Sequence, residues 1–221
     1  DYGFLWIGTR KGLNRFDGMN FKKFYKEDYP VIHSHVIQEI KSGPNNTIWI
    51  AAEFGFYGLR LDLIGNIIEG YGPFLISQQI FGMDFIASKL LFATDNGIYE
   101  FEFNNNKLKE TNNWLNENPD ELFIFIKAIS ENKYITSSTL DNYYEIYNEK
   151  VNSIDTKIQN GFDFDNSNEN IIASLNGLGK LNSNNSIELL DCEINSLLPY
   201  RINYHNKLGY FVGTYADGLF L

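Results

Sequence analysis

One short motif recurs six times along the chain, at intervals of 37 to 43 residues. Its first copy runs Leu5-Trp6-Ile7-Gly8-Thr9 and is followed, two residues later, by Gly12-Leu13. Counted from equivalent positions, the copies start at Trp6, Trp49, Leu91, Tyr134, Ile171 and Phe211. A repeat of this length, with room for four short strands in each copy, is typical of a β-propeller in which every copy forms one blade.

Each part of the motif has a physical reason to recur. Small residues such as Gly8 and Ala93 end the second strand of a copy, where neighbouring blades pack face to face and a large side chain would separate them. The glycine that follows permits a turn with positive φ. The Trp or large aliphatic residue before the small residues fills space between blades.

The second copy shows all four predicted strands. We expect an inner strand over Val36–Ser42, a second over Thr47–Ala52, a third over Tyr57–Asp62 and an outer one over Ile67–Tyr71. The turn residues Gly43-Pro44-Asn45-Asn46 separate the first two. The fourth copy has Asn142-Tyr143 in place of its glycine pair, so we expect a distorted blade there.

The sequence therefore predicts an all-β chain of four-stranded antiparallel blades, forming one β-propeller domain or a fragment of one. The expected units are 1–32, 33–75, 76–119, 120–157, 158–192 and 193–221. The first unit begins at its second strand and the last ends at its third, so we expect an incomplete ring or part of a larger propeller. Unpaired strand edges would favour pairing with another chain, including dimerisation.

Composition removes several classes of function. A net charge of −10 and a pI near 4.8 disfavour nucleic acids and anionic membranes as partners. The sequence contains no stretch of about 18 apolar residues, so it predicts no membrane-spanning helix. Cys192 is the only cysteine, so the chain forms no internal disulfide and no cysteine-rich zinc site.

Two segments superficially resemble metal sites. His33 and His35 would face one side of a strand, but no third ligand is indicated. The segment from Asp163 to Glu169 has Asn168 where a calcium loop needs glycine and Ser174 where it needs a carboxylate. We therefore expect no metal, no cofactor and no catalytic site, although 28 acidic residues leave glycosidase-type carboxylate pairs open.

The stretch from Gly3 to Gly18, with Phe21, Tyr25, Val36 and Ile40 in the frame around it, resembles the two-component regulator propeller repeat. That repeat belongs to sensor regions of bacterial hybrid two-component systems, common in Bacteroidetes. Such proteins typically carry two seven-bladed propellers outside the cytoplasmic membrane, followed by an immunoglobulin-like module, a transmembrane helix and a kinase. The resemblance implies a periplasmic or extracytoplasmic location, a longer multidomain chain, and an oligosaccharide as ligand.

In a propeller, the loops between second and third strands share one face with the connections between blades. These loops vary in length between copies, and the second copy has three extra residues there. Aromatic rings beside amides and carboxylates suit a sugar, and the same residues suit a protein interface. The candidate ligand-binding residues on this face are Arg10, His35, Glu53, Phe54, Phe56, Tyr57, Gln78, Asp95 and Tyr215.

The sequence is compatible with three functions. The sequence favours a non-catalytic sensing or interaction propeller that binds an oligosaccharide or a protein. The alternative is a scaffold that binds only other proteins in a secretion or surface assembly, and the third is a polysaccharide-active enzyme. Propellers host all three, so fold alone does not separate them.

Overall fold

The computed structural model describes residues 3–165, 167, 169–192, 199–214 and 218–220. The chain divides into two compact units, Asp1–Asn116 (unit 1) and Glu117–Leu221 (unit 2). Their boundary lies close to the expected junction between the third and fourth copies of the repeat. Over the described ranges, all regular secondary structure is β strand, as the repeat predicts.

Unit 1 contains the first three blades, and all of its neighbouring strands pair antiparallel. The first blade has three strands, β1 (Leu5–Thr9), β2 (Gly12–Phe16) and β3 (Phe21–Phe24). The next two blades form one seven-stranded sheet, whose strands are β4 (Ile37–Ser42), β5 (Thr47–Ala52), β6 (Phe54–Leu61), β7 (Ile67–Ile86), β8 (Lys89–Thr94), β9 (Gly97–Asn104) and β10 (Lys107–Trp114).

Strand β7 serves two blades. Its first half pairs with β6 as the outer strand of the second blade, and its second half pairs with β8 as the inner strand of the third. The change of partner falls between Phe74, which pairs with Phe56, and Ile80, which pairs with Thr94. The change of blade therefore lies near the expected unit boundary between residues 75 and 76, and extended backbone runs through it.

Unit 2 contains the remaining three blades. Two are four-stranded, and their strands are β11 (Phe123–Ser130), β12 (Lys133–Ser138), β13 (Tyr143–Tyr147), β14 (Lys150–Thr156), β15 (Gly161–Asp165), β16 (Ile171–Ser174), β17 (Gly177–Leu181) and β18 (Ser186–Leu189). The last blade has β19 (Pro199–His205), β20 (Gly209–Thr214) and β21 (Leu219–Phe220). The outer strands β14 and β18 join the two four-stranded blades through a short parallel pairing.

The small residues of the motif lie where blades pack, as predicted. Ala51 and Ala93 are fully buried. A Cβ on Gly8 would stand 2.9 Å from the Cβ of Ile37, so β1 of the first blade can approach β4 of the second only without a side chain there.

The distortion expected where the fourth blade lacks its glycine pair is absent; the register shifts of this blade lie between β11 and β12. Strand β12 pairs with β13 over five consecutive residue pairs without a register shift. Asp141 takes the left-handed conformation there, with φ of 59°, which the other copies assign to glycine. A short polar side chain tolerates this conformation better than most residues, so the turn is one residue longer but still closes.

Candidate functional site

In unit 1, three connections meet at one edge of the blades, which we call the loop edge. It comprises the segment that contains Val36 before β4, the segment from Ala52 to Phe54 after β5, and the turn after β8 together with the start of the third blade's inner strand. Backbone hydrogen bonds join these segments: Glu53 N–H donates to Val36 O (2.9 Å), Ile80 N–H to Glu53 O (3.2 Å) and Asp95 N–H to Gln79 O (3.1 Å). The loop edge is thus a fixed backbone platform.

Asp95 fixes one corner of this platform. Its carboxylate accepts a hydrogen bond from the backbone N–H of Gln79 at 3.0 Å, while its own N–H donates to the Gln79 carbonyl. This reciprocal pair ties the turn after β8 to the strand that enters the third blade. Asp95 therefore positions the platform, whereas Gln78 beside it is half-buried and reaches only Ser77, whose hydroxyl donates to it at 2.8 Å.

His33 holds a second corner. Its Nε2–H donates to the carbonyl oxygen of Phe54, and its ring packs edge-on against Tyr57 with centroids 5.6 Å apart. The sequence pairs His33 with His35 as a weak metal candidate. The structure instead engages His33 with the backbone and leaves His35 exposed.

Gly55 allows the extra residues of the second copy to form part of a strand. It has φ of 73°, and a Cβ there would overlap the carbonyl oxygen of Phe74 and stand 3.0 Å from Ile76 Cα. Around it the ladder shifts from Phe54–Gln79 to Phe56–Phe74, so residues 75–78 bulge from β7 opposite the single residue Gly55.

The bulge and Phe54 form an exposed apolar surface on the loop edge. Phe54 is 45% exposed and Ile76 is 62% exposed, while Leu75 is half-buried. Glu53 and Gln78 are also half-buried and bring a carboxylate and an amide to the same segments. We call these five residues the Phe54 patch.

Two of the predicted site residues lie in the core instead. Phe56 and Tyr57 are both fully buried, because β6 begins at Phe54 and not at Tyr57 as the sequence predicted. Phe56 stacks on Phe92, and burial raises the pKa of the Tyr57 hydroxyl. The expectation that the loop presents Glu53, Phe54, Phe56 and Tyr57 to a ligand was therefore wrong for the last two.

The other predicted residues are less connected. Arg10 and His35 are exposed, and over residues 3–165 neither side chain hydrogen-bonds to the Phe54 patch. Tyr215 lies outside the described residues. Ile76 was missed because a lone isoleucine after a strand carries no sequence signal of exposure; only the bulge places it in solvent.

A polar cluster in unit 2 was also missed by sequence reasoning. Glu121 is 7% exposed, and its carboxylate accepts hydrogen bonds from Ser138 (2.6 Å), Asn142 (2.8 Å) and Tyr144 (3.0 Å). Burial alone would raise the pKa of this carboxyl, but the hydrogen bonds outweigh it and hold the pKa below its usual value. The cluster closes the turn between β12 and β13, and Asn142 is consequently a structural residue.

The comparisons with known proteins find similar structures. No family model matches the chain, and no curated protein matches it. The extracellular domain of a protein described as the hybrid two component system BT3049 from B. thetaiotaomicron superposes with a TM-score of 0.77 at 18% identity. That match covers 98% of this chain and 32% of the other.

Three further solved structures resemble the chain. The extracellular domain of the hybrid two component system BT4673 from B. thetaiotaomicron has a TM-score of 0.59 at 15% identity, over 99% of this chain and 36% of the other. Streptogramin B lyase has a TM-score of 0.69, and an inactive virginiamycin B lyase from Staphylococcus aureus with quinupristin one of 0.67, each at 14% identity. The lyase matches cover 95% and 96% of this chain and 72% and 74% of theirs.

The chain has a β-propeller fold. The neighbours include the sensor type of protein that the repeat resembles, and also enzymes. At these identities the likeness establishes the fold, and the chain spans about a third of the length of either sensor domain.

Inner strands of neighbouring propeller blades are linked by carboxylates within each unit. In unit 1, the backbone N–H of Met83 donates to Glu39 (2.8 Å). In unit 2, the N–H groups of Ile202 and Tyr204 donate to Asp163 (3.2 Å) and Asp165 (3.0 Å). The two aspartates that superficially resemble a calcium loop thus hold a neighbouring strand; Asn166 and Asn168 of that segment lie outside the described residues.

Across the described residues, no group of three or more His, Cys, Asp or Glu side chains is placed to hold a metal ion. No helix there is long and apolar enough to cross a membrane. Cys192 is partly exposed.

Proposed function

We propose that this propeller is the non-catalytic ligand-recognition part of an extracytoplasmic signal-transduction sensor, and that it binds through the Phe54 patch. The extracellular domains of two hybrid two-component systems share its fold over nearly the whole chain, which supports the sensor role. The sequence resemblance to the two-component regulator propeller repeat, strongest at Gly3–Gly18, points to the same class.

The observation that carries the choice of surface is the exposure of Phe54 on a rigid edge. Its backbone is held by His33 and by the ladder pair with Gln79, so the ring is presented in a fixed position. Fixing a recognition group before binding lowers the entropic cost of association. Exposed apolar area of this kind is typical of a surface that a partner covers.

The chemistry of the patch suits an oligosaccharide. An aromatic ring can stack on the apolar face of a sugar, while Glu53 and Gln78 can accept and donate hydrogen bonds to its hydroxyl groups. A protein segment with an aliphatic side chain and polar backbone would satisfy the same groups, and it is the main alternative ligand.

An enzyme is the competing class, because two of the similar structures are lyases. Against it, two titratable side chains of the loop edge bond to the backbone. His33 donates from Nε2 to a backbone carbonyl while its Nδ1 is buried, and Asp95 accepts from a backbone N–H. A general base or acid needs its titrating atom free to face a substrate.

The test compares two matched variants on an oligosaccharide array, followed by calorimetry on each sugar that binds. Phe54→Ala removes the ring of the patch. Phe21→Ala removes a ring of 64% exposure from β3, the outer strand of the first blade, and is the control for general loss of surface aromatic area.

We expect Phe54→Ala to weaken sugar binding about tenfold or more, which corresponds to one lost aromatic contact, and Phe21→Ala to leave it unchanged. Equal effects of both variants would contradict the patch. Absence of any bound sugar, together with cross-linking of a protein partner through residue 54, would favour the scaffold. Release of a modified product from a bound sugar would show an enzyme.

A further inference from the structure

Unit 1 contains a cleft at the edge of the blades opposite the loop edge. Its volume is about 350 Å³, and it lies between the first and second blades, beside the turn that joins β4 to β5. Strand β5 runs from Thr47 at this cleft to Ala52 at the loop edge, so the two surfaces are at opposite ends of the same strand. A volume of this size lies in the range of small-molecule sites.

The cleft combines apolar walls with a polar rim. The rings of Phe4 and Trp6 come from the first blade, and the side chains of Ile40, Ile48 and Leu61 come from the second. Its polar lining comes from the β4–β5 turn, and no Asp, Glu, Lys or Arg side chain within residues 3–165 lines it. An uncharged lining favours a neutral ligand, since a charged ligand would lose its hydration without gaining an opposite charge.

The two aromatic walls are held in place from behind. Trp6 packs on the buried ring of Phe24, with centroids 5.1 Å apart. The guanidinium of Arg15 lies 4.4 Å from the centre of the Phe4 ring and donates to the carbonyl oxygens of Ile64 (3.1 Å) and Gly65. Arg15 of the first blade thus bonds to the second blade beside the cleft. The cleft is therefore preformed.

One hydroxyl group lies at the rim of the cleft. Ser42, at the exposed end of β4, pairs with Ile48 and makes no side-chain hydrogen bond within residues 3–165. The side chain of Thr47 points to the opposite face of β5 from Ile48, with that of Trp49, so its buried hydroxyl does not face the cleft. A ligand group that bonds to Ser42 replaces water there while the ring of the ligand leaves water.

We infer that this cleft is a second binding site, which takes a small neutral molecule with a planar apolar ring and one hydroxyl or amide group. The ring occupies the space between Phe4 and Trp6. The polar group faces the hydroxyl of Ser42 at the rim. The site is separate from the Phe54 patch and does not depend on the proposed sensor role.

Benzamide is the probe, because it has one ring and one neutral amide. Benzoate and benzylamine have nearly the same shape and carry a negative and a positive charge. The readout is the set of indole N–H signals in a nitrogen-correlated NMR spectrum of the whole chain. The three tryptophans, Trp6, Trp49 and Trp114, give three signals, and a Trp6→Phe variant assigns the one that lines the cleft.

We expect benzamide to shift the Trp6 signal saturably, to leave Trp114 unshifted, and to bind at least about tenfold more tightly than either charged analogue. Ser42→Leu fills the cleft from its exposed rim and should weaken benzamide binding about tenfold or more. Thr47→Val removes a hydroxyl from the opposite face of β5, and should leave benzamide binding unchanged with the fold intact.

Phe54→Ala, at the far end of the same sheet, is the matched control and should leave benzamide binding unchanged. The inference fails if benzamide does not shift the Trp6 signal, if Ser42→Leu binds benzamide as well as the wild type does, or if benzoate binds more tightly than benzamide. That last result would identify an anion site governed by Arg15 instead of a neutral one.

Discussion

Phe56 stacks on Phe92 with ring centroids 4.0 Å apart and an interplanar angle of 27°. Phe56 belongs to β6 of the second blade and Phe92 to β8 of the third, so the pair joins two blades through their cores. Phe101 packs edge-on against Phe56 at 5.1 Å and completes the contact. An aromatic residue that the sequence assigns to a ligand-binding loop is thus a packing residue between blades.

We predict that Phe56→Ala destabilises unit 1 by about 3–5 kcal/mol, because it removes a fully buried ring and leaves a cavity beside Phe92. Phe54→Ala, two residues earlier, should cost no more than about 1 kcal/mol, since nearly half of that ring is already in water. Urea unfolding followed by tryptophan fluorescence measures this, because all three tryptophans lie in unit 1. Similar midpoints for the two variants would contradict the placement of Phe56.

A second prediction concerns the small residues where blades pack. Gly8 and Gly213 occupy equivalent positions in the first and sixth copies. A methyl group on Gly8 would press into Ile37, whereas on Gly213 its nearest neighbour would be Arg201 Cβ at an ordinary 3.6 Å. Gly8→Ala should therefore cost about 1–3 kcal/mol. Gly213→Ala should be neutral or stabilise by up to about 1 kcal/mol, because it reduces the freedom of the unfolded chain.

Calorimetric melting of both glycine variants tests that difference. The same substitution at the same repeat position separates the effect of space from the effect of strand propensity. A loss of stability at Gly213 as large as that at Gly8 would show that propensity or local strain governs both positions.

The local sequence could predict the strands that follow the repeat, but not the places where a strand departs from it. The second strand of the second copy is observed at the predicted residues, Thr47–Ala52, because a hydrophobic run between turn residues specifies it. The start of the third strand was misplaced because Phe54-Gly55-Phe56 has the composition of a loop. Its strand partner is the segment from Phe74 to Gln79, about 20 residues further on, and that pairing cannot be inferred from adjacent residues.

In the candidate site too, local sequence predicted some features, and others depend on pairing with distant residues. The sequence indicated this loop as a candidate, because its extra length was visible, and it included Phe54. It could not separate the exposed Phe54 from the buried Phe56, because two residues at this spacing share one face of a regular strand and only the irregular pairing around Gly55 distinguishes them. Nor could it show that Asp95 and His33 bond to the backbone, because those partners depend on how the blades pack.

The third prediction concerns acid. The pKa of Glu121 in the fold lies below its unfolded value of 4.5, since hydrogen bonds from Ser138, Asn142 and Tyr144 outweigh its burial. A depressed pKa contributes stability that is present above pH 4.5 and is lost as the pH falls through the lower folded value. Unit 2 should therefore weaken in that acidic range, and Glu121→Gln should reduce this pH dependence while lowering stability at neutral pH.

Urea unfolding at a series of pH values, followed by circular dichroism, measures the Glu121 effect. Glu188→Gln is the matched control, because that side chain is exposed on β18 of the same unit. If both variants show the same pH dependence as the wild type, the hydrogen bonds of Glu121 do not stabilise its charged form.

The last prediction concerns the geometry that presents the Phe54 patch. Gly55 and Gly18 both have positive φ, 73° and 98°, so alanine at either position pays a backbone cost of about 1–2 kcal/mol. At Gly18 the added methyl group meets nothing within 4 Å, whereas at Gly55 it overlaps the Phe74 carbonyl. Gly55→Ala should therefore destabilise unit 1 more than Gly18→Ala does, and should displace the bulge at residues 75–78 from β6. Because Phe54 and Ile76 are then no longer held side by side, Gly55→Ala should weaken ligand binding about as much as Phe54→Ala, although it leaves the ring in place. Unfolding by urea and calorimetric titration of the same samples test both parts. Wild-type binding by a measurably destabilised Gly55→Ala would show that the patch does not need the bulge, and recognition would then rest on Phe54 alone.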